Sequence, residues 1–169
     1  MDTNPASRLA CSPPKSVFFG IIGNGHTCAL VGPQGTIEWF CIPRFDSGFV
    51  FGRLIDREGG SWAIIPESKA SLVWSQRYLP DTAILETTAT TTTGIPMIQI
   101  TDWMPWGIPE IRRHIEVLQP DVVLKIVLHP TFDYRRRPHT WSFPALSAVP
   151  SHCSASTHSA APSQFSGLS

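Results

Sequence analysis

Hydrophobic positions along this chain alternate over short runs and never settle into a helical period. His26 to Val31 and Thr36 to Ile42 are β-rich and flank Gly32-Pro33-Gln34-Gly35, a turn signature, so the pair reads as a hairpin. Ser61 to Pro66 and Ser71 to Leu79 are two further predicted strands. Thr82 to Thr90 is dense in β-branched threonine, which suits a pleated surface better than a helix. Gly94 separates it from a strand over Ile95 to Trp103. Arg112 to Leu118 and Val122 to His129 are split by Gln119-Pro120-Asp121, another turn signal; in the second run Leu124, Ile126 and Leu128 share one face and Lys125 takes the other. The pattern offers no long amphipathic helix, only a short turn near Val50 to Arg57. Many short strands separated by turns predict an all-β fold, an antiparallel β-sandwich over residues 16–138.

The two ends read differently. Met1 to Lys15 carries Pro5, Pro13 and Pro14 with no apolar period, so residues 1–15 are expected to form a disordered leader. Trp141 to Ser169 holds no Asp, Glu, Lys or Arg and is dominated by Ser, Ala and Pro. Such a stretch buries too little apolar surface to offset the entropy of ordering it, so residues 139–169 are expected to form a disordered tail. A natural low-complexity segment and a read-through in a shifted frame both explain that composition. The abruptness of the change favours the second.

Composition narrows the chemistry. Charged residues make up 15% of the chain against roughly 25% in an average soluble protein, and the formal net charge is +0. No whole-chain field attracts nucleic acid or an anionic membrane, and no run of about 20 apolar residues spans a bilayer. Arg135-Arg136-Arg137 is too short to change this. A weakly charged surface fits an uncharged partner such as a sugar or another protein domain. Cys11, Cys28, Cys41 and Cys153 form no C-x-x-C pair, and reduced thiols in a cytoplasmic protein account for them most simply. His26, Cys28 and Cys41 lack the fourth ligand of a structural zinc site. Gly23-x-Gly25 lacks the third glycine of a dinucleotide loop. No metal and no cofactor are therefore expected.

Several segments carry a resemblance. Gly23 to Val31 runs into Gly35-Thr36-Ile37-Glu38-Trp39-Phe40-Cys41-Ile42-Pro43-Arg44-Phe45-Asp46-Ser47; Phe51 to Asp56 and Gly59-Gly60-Ser61-Trp62 follow. Arg77-Tyr78, Asp81-Thr82 and Leu85-Glu86-Thr87 come next, then Asp102-Trp103-Met104-Pro105, Arg112-Arg113 and Phe132-Asp133-Tyr134. In this order they resemble the N-terminal, trehalase-like domain of glycoside hydrolase family 15, the glucoamylase and trehalase group. The stretch from Gly35 to Ser47 is the most specific part. Gly48-Phe49 departs from the Pro-Ser usual in that family, and Ala89 replaces a common aromatic.

The resemblance implies a supersandwich-like β domain that precedes an α/α-barrel catalytic domain. In that family the barrel hydrolyses α-glucosidic bonds with inversion, using two glutamates that nothing in this chain matches. Inversion needs an acid and a base about 6.5–9.5 Å apart. Asp46 and Asp102, at predicted strand ends among aromatics, are the least implausible carboxylates, and structural roles in turns and loops are expected for both. No catalytic residue is therefore assigned. Trp39, Arg44, Phe45 and Asp46 form the strongest cluster. On one reading they rim the sugar pocket of the barrel. On the other, Arg44 pairs with Asp46 locally and Phe45 fills the core. The expected function is that of a truncated, non-catalytic domain of such a hydrolase, with the barrel as partner and α-glucosides as ligands. The alternative is a free-standing carbohydrate-binding or interaction module. The six tryptophans could serve either reading.

Overall fold

The computed structural model describes residues 18–68, 71–136 and 140. The expected leader, and the expected tail apart from Thr140, lie outside the described residues. Ten strands and no helix are formed among those described: β1 Gly20–Gly23, β2 Cys28–Val31, β3 Ile37–Cys41, β4 Phe49–Phe51, β5 Ser61–Glu67, β6 Leu72–Tyr78, β7 Leu85–Thr91, β8 Pro96–Trp103, β9 Arg112–Val117 and β10 Val123–His129. Every pairing is antiparallel. One sheet has six strands in the order β1-β2-β3-β5-β10, with β4 paired to β3. The other has four, in the order β6-β7-β8-β9. The sandwich predicted from the alternation is thus the fold observed.

The hairpin predicted around Gly32-Pro33-Gln34-Gly35 forms, and Gly35 takes φ +72° to close it. Strands β1 and β4 carry no period of their own, being four and three residues long. The second replaces part of the turn expected near Val50 to Arg57. The remaining turn is held by the Gly52 carbonyl, which accepts the N–H groups of Ile55 and Asp56 at 3.0 and 3.1 Å.

The core lies between the sheets. Ile22, Ala29, Val31, Ile37, Phe40 and Phe51 of the six-stranded sheet meet Leu85 and Met104 from the other side. A second cluster joins Ile64 to Ala89, Ile98 and Ile100, flanked by Trp74 and Leu124. Burial of such side chains contributes roughly 1.5–3 kcal/mol each before entropy is subtracted.

One ion pair sits inside this apolar layer. The Arg113 guanidinium meets the Asp102 carboxylate edge-on, Nε to Oδ1 at 2.7 Å and Nη2 to Oδ2 at 3.1 Å. Their side chains are 1% and 0% exposed. Arg113 also donates to two carbonyls of the opposite sheet and its hairpin, Trp62 O at 3.0 Å and Gly35 O. Its guanidinium lies 5.0 Å from the centre of the Trp62 ring. Trp62 Nε1 is buried with no acceptor among the described residues. Strand alternation brings the pair about, since Asp102 and Arg113 are direct register partners on the core face of β8 and β9.

The matched Arg77-Tyr78 to Thr87 segment is the β6–β7 hairpin. Arg77 Nε donates to the buried Glu86 at 2.5 Å, and Gln99 donates to its other oxygen at 2.7 Å. Gln76 bridges Thr87 and the Gly32 carbonyl, linking the sheets. Asp81 takes φ +58° in the turn.

Candidate functional site

Three loops converge beside the six-stranded sheet. The first is Asn24 to Thr27, between β1 and β2. Asn24 is buried, and its Oδ1 accepts the N–H groups of His26 and Thr27 at 2.9 Å each, closing a tight turn. Its Nδ2 donates to the Ile108 carbonyl at 2.7 Å, and Gly107 N–H returns to the Asn24 carbonyl at 3.3 Å. These bonds fasten the 105–108 loop, which leaves β8 of the other sheet, to the 24–27 turn. Gly25 has φ +86°, and a Cβ there would lie 2.9 Å from the Trp106 ring. The indole thus covers a position that only glycine fills without strain. Trp106 itself is 84% exposed.

The second loop follows β3 through the cis Ile42–Pro43 bond. Arg44 N–H bonds Ser47 Oγ at 3.2 Å and Ser47 N–H bonds the Arg44 carbonyl at 3.1 Å, so the turn is self-contained. Phe45 N–H reaches the His26 carbonyl at 3.3 Å and ties the turn to the first loop. Arg44 Nε donates to Asp46 Oδ1 at 3.1 Å, both side chains being exposed. That bond holds the Asp46 carboxyl below its ordinary range, helped by a backbone N–H and by the guanidinium charge.

Gly25, His26, Arg44, Phe45 and Asp46 line a shallow cavity of about 380 Å³. Three of the four expected rim residues therefore come together. Phe45 does not fill the core; it is 60% exposed. Trp39 does not border the cavity. It packs on Phe49, ring centres 5.6 Å apart, and Phe49 meets Tyr134 edge-on at 5.1 Å. Asp133, Tyr134 and Arg135 all take left-handed φ values of 49°, 55° and 65°, a costly run for residues other than glycine. It is secured by Arg135, which donates to Asp56 at 3.1 Å and Glu58 at 2.5 Å.

A larger concavity of about 440 Å³ lies elsewhere, bordered by Glu38, Arg53 and Trp74 among others, and none of the expected rim residues reaches it. It offers a single carboxylate. Asp102 is sealed beneath Arg113, and although burial pushes its carboxyl up, no substrate reaches it. The strand-end reading of Asp102 as a turn residue is replaced by this core pairing. Burial also pushes both described thiols up, Cys41 further through the nearby Cys28, so neither is an activated nucleophile. Among the described residues no group of three or more His, Cys, Asp or Glu is placed to hold a metal.

The sequence reading did not place His26 and Trp106 at this site. Asn-Gly beside a strand signals a tight turn, but nothing in the sequence shows that Trp106 lies across it.

The fold is thus an all-β sandwich that carries an aromatic and polar loop cluster at its surface. The chain belongs to the trehalase-like N-terminal domain family, whose model matches residues 14–141. It is similar to the trehalase of Thermoplasma volcanium, 34% identical over 128 residues covering 72% of this chain and 20% of that protein. The Mycobacterium tuberculosis trehalase is 30% identical over 165 residues, covering 83% and 24% respectively. Trehalase 1 of Sulfolobus acidocaldarius is 39% identical over 115 residues, covering 68% and 19%. The chain thus spans about a fifth to a quarter of the curated relatives it matches. No solved structure matches it. No helix among the described residues is long and apolar enough to cross a membrane.

Proposed function

We propose that this chain is the non-catalytic N-terminal domain of a family 15, glucoamylase-like glycoside hydrolase acting on trehalose or related α-glucosides. Its loop cluster rims the substrate pocket of an α/α-barrel partner domain. The observation that carries this reading is the convergence of exposed Arg44, Phe45, Asp46 and His26 beside Trp106. Aromatic faces stack on sugar rings, and a preset Arg–Asp pair can bond vicinal hydroxyls. The family's chemistry needs a carboxylic acid and a carboxylate at defined separation, and the barrel supplies both. The free thiols of Cys28 and Cys41 favour a cytoplasmic location.

The test is made in a full-length relative. Replacing the residue aligned with Arg44 by alanine is expected to lower kcat/KM for trehalose by roughly 10- to 100-fold, the scale of one charged hydrogen bond. The melting temperature should be unchanged. Full activity in a folded variant refutes the rim role. A second reading, sugar binding by the domain alone, is favoured by the exposure of Trp106. Calorimetry of this chain with maltooligosaccharides and trehalose separates the two, because the rim reading expects no measurable affinity without the barrel.

A further inference from the structure

The two outer strands of the six-stranded sheet are treated differently. At β1, the middle residue of the free edge is occupied: Ile21 N–H donates to the Tyr78 hydroxyl at 2.7 Å, and that hydroxyl donates to the Ile21 carbonyl at 3.0 Å. A side chain from the opposite sheet blunts this edge. At β10 the described residues provide no such cover. The strand pairs along its whole length with β5, from Val123 opposite Glu67 to His129 opposite Ser61, without a register shift. Shifts interrupt the β2–β3, β3–β4 and β7–β8 pairings. Natural edges are protected by bulges, proline or several charges; β10 has a straight ladder and Lys125.

Two residues of its core-facing row are also open. Leu124, Ile126 and Leu128 lie opposite Pro66, Ile64 and Trp62, on the side of the sheet that forms the core. Yet Ile126 is 59% exposed and Leu128 41%, while Leu124 packs against the second core cluster. An apolar row facing the core side but left open is half of an interface.

We propose that β10 pairs antiparallel with β10 of a second copy of this chain, joining two six-stranded sheets across a two-fold axis at Ile126. The sequence of the strand is self-complementary in that register. Ile126 meets Ile126 of the second copy, and Leu124 meets its Leu128. Lys125 falls opposite Val127 of the second copy rather than another lysine, so no like charges are opposed. A two-fold axis presents the same row from both sides, which closes the assembly at two. The formal net charge of +0 adds no long-range repulsion.

Sedimentation of the purified 169-residue chain is expected to show a monomer–dimer equilibrium. Amide exchange should be slower in β10 at concentrations where the dimer dominates. Ile126→Lys puts two cations face to face at the axis. Because the position is exposed in the monomer, the variant should keep its far-UV spectrum while its dissociation constant rises at least tenfold and the β10 protection disappears. Val73→Lys, at an exposed position on the edge strand β6, should leave the dimer intact. A monomer at all concentrations, a dimer that survives Ile126→Lys, or association that continues past two copies each overturns the proposal. In the first case, freely exchanging β10 amides would mean that the edge awaits a strand from a different polypeptide.

Discussion

Replacing Arg113 by methionine tests the buried ion pair most directly. Methionine keeps much of the side-chain length and removes every donor. The Asp102 carboxylate then loses both of its charged hydrogen bonds, and Trp62 O and Gly35 O each lose a donor. Removing one partner of a buried pair costs about 3–5 kcal/mol, because the other charge stays desolvated. A domain of this size holds roughly 5–15 kcal/mol in total, so the variant forfeits about a fifth or more of its stability. In urea, with a slope of about 2 kcal/mol per molar, the midpoint at pH 7 should fall by on the order of 2 M. Acid should narrow the deficit. Burial already holds the Asp102 carboxyl above its ordinary value, opposed by Arg113. A carboxyl raised on folding contributes stability that is complete below its unfolded value and lost as pH rises through its folded value. Without Arg113 that rise is larger, so the variant regains ground as pH falls from 7 towards the ordinary carboxylate value near 4. Adding Asp102→Leu should recover most of the loss, since no charge is then buried alone. Unfolding of Arg113→Met within about 1 kcal/mol of the parent at pH 7, or strict additivity of the two replacements, refutes the reasoning.

Gly25→Ala forces a left-handed φ on a residue with a Cβ and pushes that Cβ into the Trp106 ring; a loss of about 1–3 kcal/mol and a shifted Trp106 indole N–H resonance are expected. An unmoved resonance would mean that the indole does not rest there. The Asp46 carboxyl, lowered mainly by its bond from Arg44, should titrate below the ordinary range by NMR and return towards it in Arg44→Ala. The contribution of that pair is present above the unfolded carboxylate value and fades as pH falls through the lowered one; identical titration curves would show that the pair does not form in solution.

Much of the fold was legible because period-two alternation is a local signal. β5 to β10 follow it to within a few residues. β1 and β4 escaped because strands of four and three residues carry no period, and their identity is set by the neighbours they pair with. Of the site, the Arg44 to Asp46 turn was readable from its residue types. Trp39 was grouped with it by proximity in sequence, but its ring packs on Phe49 and does not border the cavity. His26 and Trp106 belong to loops joined by the Asn24 side chain across 84 residues, a contact with no local signature. The pairing of Asp102 with Arg113 required knowing the β8–β9 register, which spacing alone does not fix.

The Arg113 fork has a consequence for alignment. Packed sheets of Ile, Val and Leu tolerate small sliding, since one aliphatic contact replaces another at little cost. A planar cation that is seated on a carboxylate in its own sheet and on two fixed carbonyls across the gap accepts one position only. It acts as a dowel between two plates. Trp106 is borne by one plate and Phe45 by the other, so a charge buried in the core joins the Asn24 bonds in holding the two aromatics in register at the surface.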